Sequence, residues 1–292
     1  MKVNDVIKNA IDIHFHVGPE IIPRKYTASE LAKIESGRIG GLVLKNHFSP
    51  TSPFIAGLKD TKKLKLFGAI VLNNSVGGLN PEAIYSASLL CANPIMVWFP
   101  TISADNFLKK SNFEIPPEWV NRKNFEARKS EDLRPVSILK KGKLNQDTLR
   151  VLKMIKKCNA TMATGHLSWT ESKLLTEAAL KLEIRTVITH PIYQRINMPI
   201  RIQKELAEKG CFIEQSYSMY AIDNISIQKI AQQIRYVGVK SVILSSDMGQ
   251  TFSPDASTAL SRFAELLMKE GFNLQELNQM LLINPRQLLG IG

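Results

Sequence analysis

The chain alternates short apolar runs with helix-like segments, and this alternation constrains its fold more than any other feature of the sequence. Eight apolar runs are bounded by polar or turn residues, which is typical of buried strands. They span 10–15, 41–44, 64–72, 95–99, 161–163, 186–189, 211–214 and 241–244. Strands that alternate with helices form a parallel sheet with helices on both faces. Eight such units predict an α/β fold, a (β/α)8 TIM barrel.

The segments between these runs have helical spacing of apolar residues and plausible starts. Thr27 precedes a segment with Glu30 in its first turn, and Asn80 precedes Pro81 at the first helical position. The predicted helices span 27–36, 81–91, 146–157, 171–181, 199–208, 225–237, 255–270 and 274–282. No glycine-rich phosphate loop follows any strand, which disfavours an open doubly wound sheet.

One stretch departs from the alternation. Residues 105–143 are polar and contain Pro116, Pro117 and Pro135. We predict an elaborated loop after strand four, an insertion spanning roughly 103–145, within a single domain that covers 1–292.

The chain has only five histidines, and all of them fall at strand ends. His14 and His16 close the first strand, His47 follows the second, His166 follows the fifth and His190 ends the sixth. In a (β/α)8 barrel the carboxyl ends of the strands form a common mouth that carries the catalytic groups. The histidines are therefore predicted to share one site.

These residue types suit a metal ion. Successive side chains of a strand point to opposite faces, so Asp12, His14 and His16 share one side. Imidazole binds zinc, iron, nickel or copper, and a catalytic zinc-type site needs three or more nitrogen or oxygen ligands with one open position. Asp247 ends the last strand and supplies a carboxylate. It is the candidate catalytic base.

This ordered set resembles the amidohydrolase superfamily of metal-dependent barrel hydrolases. The set is a histidine pair after strand one, single histidines after strands five and six, and an aspartate after strand eight. Three phrases support the resemblance, namely Thr-Gly-His-Leu-Ser at 164–168, Ile-Thr-His-Pro at 188–191 and Asn-Pro-Arg-Gln-Leu-Leu-Gly at 284–290. The likeness spans nearly the whole chain.

The resemblance implies a ligand set and a reaction. His14, His16 and Asp247 would bind a first divalent ion, and His166 and His190 a second. Zinc is the first choice of metal, with manganese, nickel or iron as alternatives. Metal-activated water would attack an amide, lactone or ester bond of a small molecule, with Asp247 as general base.

The sequence departs from the superfamily at strand four. Many members bridge two ions with a carboxylated lysine or a glutamate there, but this strand ends in Trp98-Phe99-Pro100. Lys45, at the end of strand two, is the candidate for a carboxylated bridge. The alternatives are an unmodified lysine that contacts an anionic substrate, a solvated cation, or a site with one ion.

Other residues are expected to contact the substrate. His47 shares the face of Lys45 by the two-residue period of a strand. Arg24, in the loop after strand one, would clamp a carboxylate or phosphate, unless it is a solvated loop charge. Tyr217 and Gln250 follow strands seven and eight and are pocket candidates by position alone. A small-molecule substrate with an anionic group is therefore expected.

Two rival functions stay open. A mononuclear-metal decarboxylase or hydratase of the same superfamily would use the strand-six histidine in catalysis. A nucleic-acid-binding protein would use the basic segment 101–160, which has 14 Lys plus Arg and 7 Asp plus Glu, so that 14 − 7 = +7 of the net charge of +12 lies there. No aromatic residue is interleaved with the basic cluster of this segment, and no nucleic-acid motif accompanies it, so the second rival is disfavoured. The cluster consists of Lys140, Lys141, Lys143, Arg150, Lys153, Lys156 and Lys157.

The remaining predictions concern location and assembly. No apolar stretch reaches the roughly 18 residues of a membrane span, and no secretory signal is visible. The three cysteines are widely spaced, as expected for free thiols in a reducing compartment. The cytoplasm is therefore predicted, and a homo-oligomer is left open.

Overall fold

A computed structural model describes residues 2–58, 63–120 and 125–291. These residues form eleven strands, namely β1 Ile11–His16, β2 Gly41–Lys45, β3 Lys65–Phe67, β4 Ala69–Val71, β5 Met96–Trp98, β6 Leu139–Lys140, β7 Lys143–Leu144, β8 Thr161–Ala163, β9 Thr186–Ile188, β10 Phe212–Ser216 and β11 Val242–Ser245. All eight predicted strands are present. The third is divided at Gly68 into β3 and β4, and the hairpin β6–β7 is additional.

The helices lie between the strands. They are α1 Val3–Asn9, α2 Ala28–Glu35, α3 Ser52–Ala56, α4 Pro81–Leu89, α5 Asp105–Leu108, α6 Gln146–Lys157, α7 Trp169–Lys181, α8 Ile200–Glu208, α9 Tyr217–Ala221, α10 Ile227–Val237, α11 Ala256–Lys269, α12 Leu274–Asn278 and α13 Asn284–Leu289. Every predicted helix is present, and α6 matches its predicted bounds. The helix predicted over 274–282 is shorter, since α12 continues into a π-helical turn, Gln279–Ile283.

The barrel strands pair in parallel, which confirms the predicted fold class. One sheet has the order β1-β2-β3, and the other has the order β4-β5-β8-β9-β10-β11. The backbone joins the first and last strands at their carboxyl ends, where His16 N donates to Met248 O at 2.8 Å and Asp247 N donates to His14 O at 2.8 Å. The described strands thus form two sheets that meet, not one continuous hydrogen-bonded ring.

Thr51 explains where the ring is interrupted. Its hydroxyl donates to Leu44 O at 2.7 Å and accepts from Ala69 N at 2.8 Å. A side chain therefore stands between β2 and β4, where a continuous ring would have direct backbone bonds. A Cβ at Gly68 would lie 2.6 Å from Ser52 Oγ, so only glycine allows this close approach.

The strands are buried from end to end, and this has a consequence for their polar residues. All six residues of β1 and all five of β2 are buried. A buried charge is costly unless it is paired or hydrogen-bonded. The fully buried Asp12, Lys45 and Glu214 therefore mark the places where the barrel must supply partners.

The segment between β5 and β8 contains α5, the 3-10 turns Pro117–Trp119 and Ser130–Asp132, and the antiparallel hairpin β6–β7. Glu114 is 4% exposed and accepts from Arg128 Nε at 3.1 Å, which ties the segment together. Residues 121–124 of the predicted insertion lie outside the described residues. That the chain is one domain stays a prediction. None of the helices in the described part has the length and apolar character needed to cross a membrane.

The turn after β8 allows a test of how closely the ends of β5 and β8 pack. Gly165 has a φ of +63°, and a Cβ there would lie 2.2 Å from Phe99 O. We expect Gly165→Ala to lower the free energy of unfolding by about 3 kcal/mol, because backbone strain and a backbone clash add. Urea denaturation of the purified variant measures the loss.

Gly142→Ala is the matched control. Gly142 has a φ of +74°, and nothing lies within 4 Å of the position that an added methyl group would take, so strain alone should cost about 1 kcal/mol. Equal losses in the two variants would contradict the close approach of the β5 and β8 ends.

Candidate active site

The carboxyl ends of the strands surround a cavity of about 440 Å³. Six of the predicted site residues line it together, namely His16, Lys45, His47, His166, His190 and Asp247. Arg24 and Gln250 also line it. His14 lies beneath the cavity, with none of its surface exposed. The structure therefore brings the predicted ligands, the candidate base and the two predicted substrate contacts to one place.

His14 is the centre of the site. Its Nε2 lies 3.0 Å from Asp247 Oδ1 and 2.8 Å from Lys45 Nζ, and its Nδ1 lies 2.8 Å from Glu214 Oε1. Burial lowers the pKa of His14, but the Asp247 and Glu214 carboxylates outweigh burial and the Lys45 ammonium, so the pKa lies above its ordinary value. Four strands, β1, β2, β10 and β11, thus meet at one imidazole.

Asp247 follows β11 and faces the cavity. Its Oδ1 lies 3.1 Å from His16 Nε2, and its Oδ2 accepts from Ser218 Oγ at 2.8 Å. Burial raises the pKa of Asp247, but His14, with His16 and His190, outweighs burial and holds the pKa well below its usual range. Asp247 is therefore a carboxylate at neutral pH, as a metal ligand or proton acceptor must be.

The other histidines form a continuous group with His14. The ring centroids are 5.8 Å apart for His14 and His190, 5.2 Å for His190 and His166, and 4.8 Å for His16 and His47. Burial lowers the pKa of His190 to about 4 and those of His16, His47 and His166 well below the ordinary value. These four imidazoles are neutral at pH 7, the form that binds metal.

Three side chains of this group fit a divalent ion. The ligand atoms of His14, His190 and Asp247 lie within 4.8 Å of one another. The buried Nδ1 of His190 has no hydrogen-bond partner among the described residues. Two imidazoles and a carboxylate are a donor set that suits zinc and its neighbours. The resemblance assigned His190 to a second ion, whereas the structure groups it with His14 and Asp247.

Asp12 shares a strand with His14 and His16 but does not reach the cavity. Its Oδ1 accepts from His14 N at 3.1 Å and from Ser246 N at 3.0 Å. The pairing of β1 with β2 shifts register between Asp12 and Phe15. Asp12 therefore joins β1 to the end of β11 from below the site.

Lys45 is buried, which excludes the solvated cation that was one alternative. It is 1% exposed, and its Nζ lies 5.2 Å from the centre of the Trp98 ring. Burial lowers the pKa of Lys45 to about 8, although Asp247 and Glu214 oppose the shift. An amine with so low a pKa is partly neutral near pH 7.5, and a neutral amine is the form that reacts with carbon dioxide.

Arg24 is likewise not a solvated loop charge. Its Nε and Nη2 donate to the two oxygens of Glu20 at 3.0 and 3.1 Å, and these side chains are 3% and 0% exposed. Glu20 was missed because an acidic residue in a loop carries no sequence signal. His47 Nδ1 lies 2.8 Å from Thr101 Oγ1. Both predicted substrate contacts are thus held in place by neighbours.

Glu214 is the most important site residue that the sequence pattern did not single out. It accepts from Ser245 Oγ at 2.6 Å and from His190 N at 3.1 Å, besides its contact with His14. Burial raises the pKa of Glu214, but His14, with His190 and the Ser245 hydroxyl, outweighs burial and holds the pKa below its ordinary value. The signal was available, since Glu214 ends an apolar run just as Asp247 follows one.

The cavity wall also contains residues that the sequence did not indicate. They are Trp119 from the segment between β5 and β8, Tyr193 after β9, and Ser218, Met219, Ile222 and Asp223 after β10. Tyr217, a candidate by position, packs instead against Phe263 with ring centroids 5.8 Å apart. Loop residues of this kind are placed by tertiary packing, so periodicity does not reveal them.

Residues 9–214 match the model of a family of unknown function, DUF6282. The matched region runs from before β1 to Glu214 and covers more than half of the chain. The chain belongs to this family. Asp247 lies beyond the part that the DUF6282 model matches. No curated protein matches the sequence.

Solved structures share the fold of this DUF6282 protein. An amidohydrolase from Pseudomonas aeruginosa is 9% identical, with a TM-score of 0.62 over 99% of this chain and 98% of that one. A TatD homologue from Escherichia coli K12 is 13% identical, with a TM-score of 0.56 over 98% and 100% of the chains. A 2,6-dihydroxybenzoate decarboxylase from Rhizobium is 11% identical, with a TM-score of 0.54 over 96% and 98%.

The resemblance to the amidohydrolase superfamily is thereby confirmed at the level of the fold. At such identities the likeness does not extend to a particular reaction. Enzymes of two reaction classes, hydrolysis and decarboxylation, share this architecture.

The hydrogen bonds of Glu214 predict that its replacement lowers the free energy of unfolding. Two oxygens accept from Ser245 Oγ and His190 N, and a glutamine offers one acceptor and one donor in their place. Glu214→Gln should therefore lower the free energy of unfolding by about 2 kcal/mol, because one buried donor is left unsatisfied. Urea denaturation in the presence of a chelator measures this loss independently of any metal.

Glu183→Gln serves as the control. The Glu183 side chain is 86% exposed and lies 3.1 Å from Lys156 Nζ. Its replacement should change the free energy of unfolding by less than about 0.5 kcal/mol. If Glu214→Gln is as mild as this control, Glu214 does not hold the site together.

Proposed function

We propose that this DUF6282 protein is a metal-dependent hydrolase that cleaves an amide, lactone or ester bond of a small molecule. The observation that carries the proposal is the group of His14, His190 and Asp247 at the floor of the cavity, with ligand atoms within 4.8 Å of one another. The fold shared with amidohydrolase structures supports it.

His14, His190 and Asp247 would hold the ion, with His16 and His166 beside them as further ligands. Zinc is the first choice, with manganese, nickel or iron as alternatives. When bound, such an ion supplies Lewis acidity and a source of hydroxide at neutral pH. A second ion would need a bridging ligand, and a carboxylated Lys45 is the candidate because its Nζ lies 2.8 Å from His14 Nε2.

Asp247 is proposed as the general base. Its carboxylate is ionised at neutral pH and faces the cavity, so it can accept the proton of the attacking water and pass it to the leaving group. Ser218 Oγ donates to Oδ2 at 2.8 Å and so holds the carboxylate in one orientation. Glu214 orients the His14 ring from below in the same way.

His47 and Arg24 are proposed to contact the substrate, since both line the cavity. The pairing of Arg24 with Glu20 uses Nε and one N–H of Nη2, so Nη1 and the second N–H of Nη2 can donate to a substrate oxygen. That the substrate has an anionic group stays a prediction. The prediction depends mainly on Lys45, because Arg24 is already paired with Glu20.

The role of Asp247 predicts the behaviour of one conservative variant. Asp247→Asn should lower the rate of hydrolysis by about 1,000-fold, because an amide cannot accept the proton. The fold should persist, since the site lies at the loop end of the barrel and not in its core. A panel of aryl esters, lactones and anilides measures the rate, and circular dichroism reports the fold.

Asp147→Asn is the control for the loss of one carboxylate. The Asp147 side chain lies on α6 and is 62% exposed, outside the cavity. The rate of hydrolysis by Asp147→Asn should stay within about twofold of the wild-type rate. Wild-type turnover by Asp247→Asn would contradict the assignment of the base.

The metal is tested by elemental analysis of the purified protein. The wild type should contain one or two divalent ions per chain, and the His14→Ala, His16→Ala double variant should contain less than about a tenth of that amount, because two imidazoles are removed. Asp147→Asn should match the wild type. Equal metal in the double variant and the wild type would remove the proposed site.

A mononuclear decarboxylase or hydratase is the second candidate. It is favoured by the single group of three ligands found among the described residues, and by Trp98 at the end of β5, where a bridging ligand would stand. In this candidate the strand-six histidine would act in catalysis, so one ion per chain that His190→Ala retains would favour it and would remove His190 from the proposed ligand group. Loss of metal in His190→Ala would support His190 as a ligand in either candidate, and the wild-type content of one or two ions would then distinguish a mononuclear from a two-ion site.

The cellular location and partners that we propose are those expected from the sequence. Cys91, Cys158 and Cys211 are free, which suits a cytoplasmic protein. The basic segment is proposed to be solvated and not a nucleic-acid surface, since Lys156 pairs with Glu183 and Lys157 lies 5.6 Å from the centre of the Tyr85 ring. A homo-oligomer stays open.

A further inference from the structure

The cavity contains a carboxylate that the proposed chemistry does not use. Asp223 follows α9 and lines the cavity. Its backbone N donates to Ser218 O at 3.1 Å, which fixes the turn beside Asp247. Its carboxylate makes no hydrogen bond or ion pair with another residue in the described part of the chain. Glu118, exposed on the rim, adds a second negative charge.

Asp223 has no cation in direct contact among the described residues. Burial, together with repulsion from Asp247, raises the pKa of Asp223 to about 6, although Arg195 acts in the opposite direction. Arg195 acts through space, since its guanidinium lies over the Phe107 ring at 4.5 Å. Above pH 7 the Asp223 side chain is therefore a partly buried carboxylate without a direct partner among the described residues.

The cations of the cavity wall are engaged elsewhere. Among the described residues that line the cavity, Arg24 and Lys45 are the cationic ones. Arg24 donates twice to the buried Glu20, and Lys45 Nζ lies at the floor against His14. Among the described lining residues, Asp223 and Glu118 are therefore the acidic ones without a direct ion pair.

The wall beside Asp223 is apolar. Met219, Ile222 and Phe252 line the cavity, and Ile222 and Phe252 are 37% and 77% exposed. His166 faces the same space, is 7% exposed, and has an Nδ1 without a hydrogen-bond partner among the described residues. A buried polar atom without a partner and exposed apolar side chains at one cavity both indicate a ligand.

We propose that the substrate carries a protonated amine that binds to Asp223, next to an apolar or aromatic group that packs against Met219, Ile222 and Phe252. The ammonium and the carboxylate would form a charge-assisted hydrogen bond in a partly desolvated site. This inference rests on the proposed function only in calling the ligand the substrate, because the binding itself requires neither metal nor turnover.

Three small probes of similar shape test the charge preference. Phenethylamine is cationic, 2-phenylethanol is neutral and 3-phenylpropanoate is anionic at about pH 7.5. Isothermal titration or ligand-observed NMR on the full chain measures their dissociation constants. Phenethylamine should bind about tenfold more tightly than 2-phenylethanol, because a hydrogen bond to a charged group typically contributes about that factor to the affinity. The anionic probe can also reach Lys45, so its affinity is compared between the wild type and Asp223→Asn, where the loss of a negative charge should strengthen its binding.

Asp223→Asn keeps the shape of the side chain and removes its charge. It should weaken phenethylamine binding about tenfold and leave 2-phenylethanol within about twofold. Asp147→Asn removes an equal charge from an exposed position and should change neither probe. The proposal is overturned if phenethylamine binds no more tightly than 2-phenylethanol, or if Asp223→Asn binds phenethylamine as the wild type does.

These outcomes are separate from those of the proposed function. Equal metal in the wild type and the His14→Ala, His16→Ala double variant would overturn the hydrolase, yet a loss of amine binding in Asp223→Asn would still support the amine site. An amine that merely coordinates a metal ion would bind equally to Asp223→Asn, and that result counts against the proposal.

Discussion

The pairing of buried charges around His14 is the constraint on which the site depends. An imidazole with none of its surface exposed lies within 3.0 Å of atoms from Asp247, Lys45 and Glu214. Each charge would be costly to bury alone, and together they satisfy one another. Because these residues come from β1, β2, β10 and β11, the strand ends must converge for any of the charges to be stable. The packing of the barrel strands and the pairing of charges at the barrel mouth therefore depend on each other.

The same arrangement divides the site into layers with different tasks. Glu214 and Asp12 lie beneath and hold the ring of His14 and the backbone of β1 and β11. His14, His190 and Asp247 form the group that fits a metal ion. Above them Asp223 and apolar side chains face the cavity. The floor of the cavity has paired charges, whereas Asp223 above it has no direct partner among the described residues. The two regions would therefore bind ends of a substrate that differ in charge.

Much of this could be predicted because it depends on local patterns. Apolar runs located all eight strands, and the strand ends located His16, Lys45, His166, His190 and Asp247 at one cavity, with His14 directly beneath it. The division of strand three was not predictable, since it depends on Thr51 reaching between β2 and β4. Glu20 escaped notice for the same reason, as its role exists only through Arg24.

The sequence by itself determined the fold class and the residue types at the barrel mouth, because a two-residue period and a parallel strand order follow from neighbours along the chain. Only the tertiary structure decided which of those residues touch. It placed His190 with His14 and Asp247, made Lys45 a buried amine, paired Arg24 with Glu20, and left Asp223 without a direct partner among the described residues. Distances between side chains on different strands depend on how the strands pack, and that information is not present in any one segment.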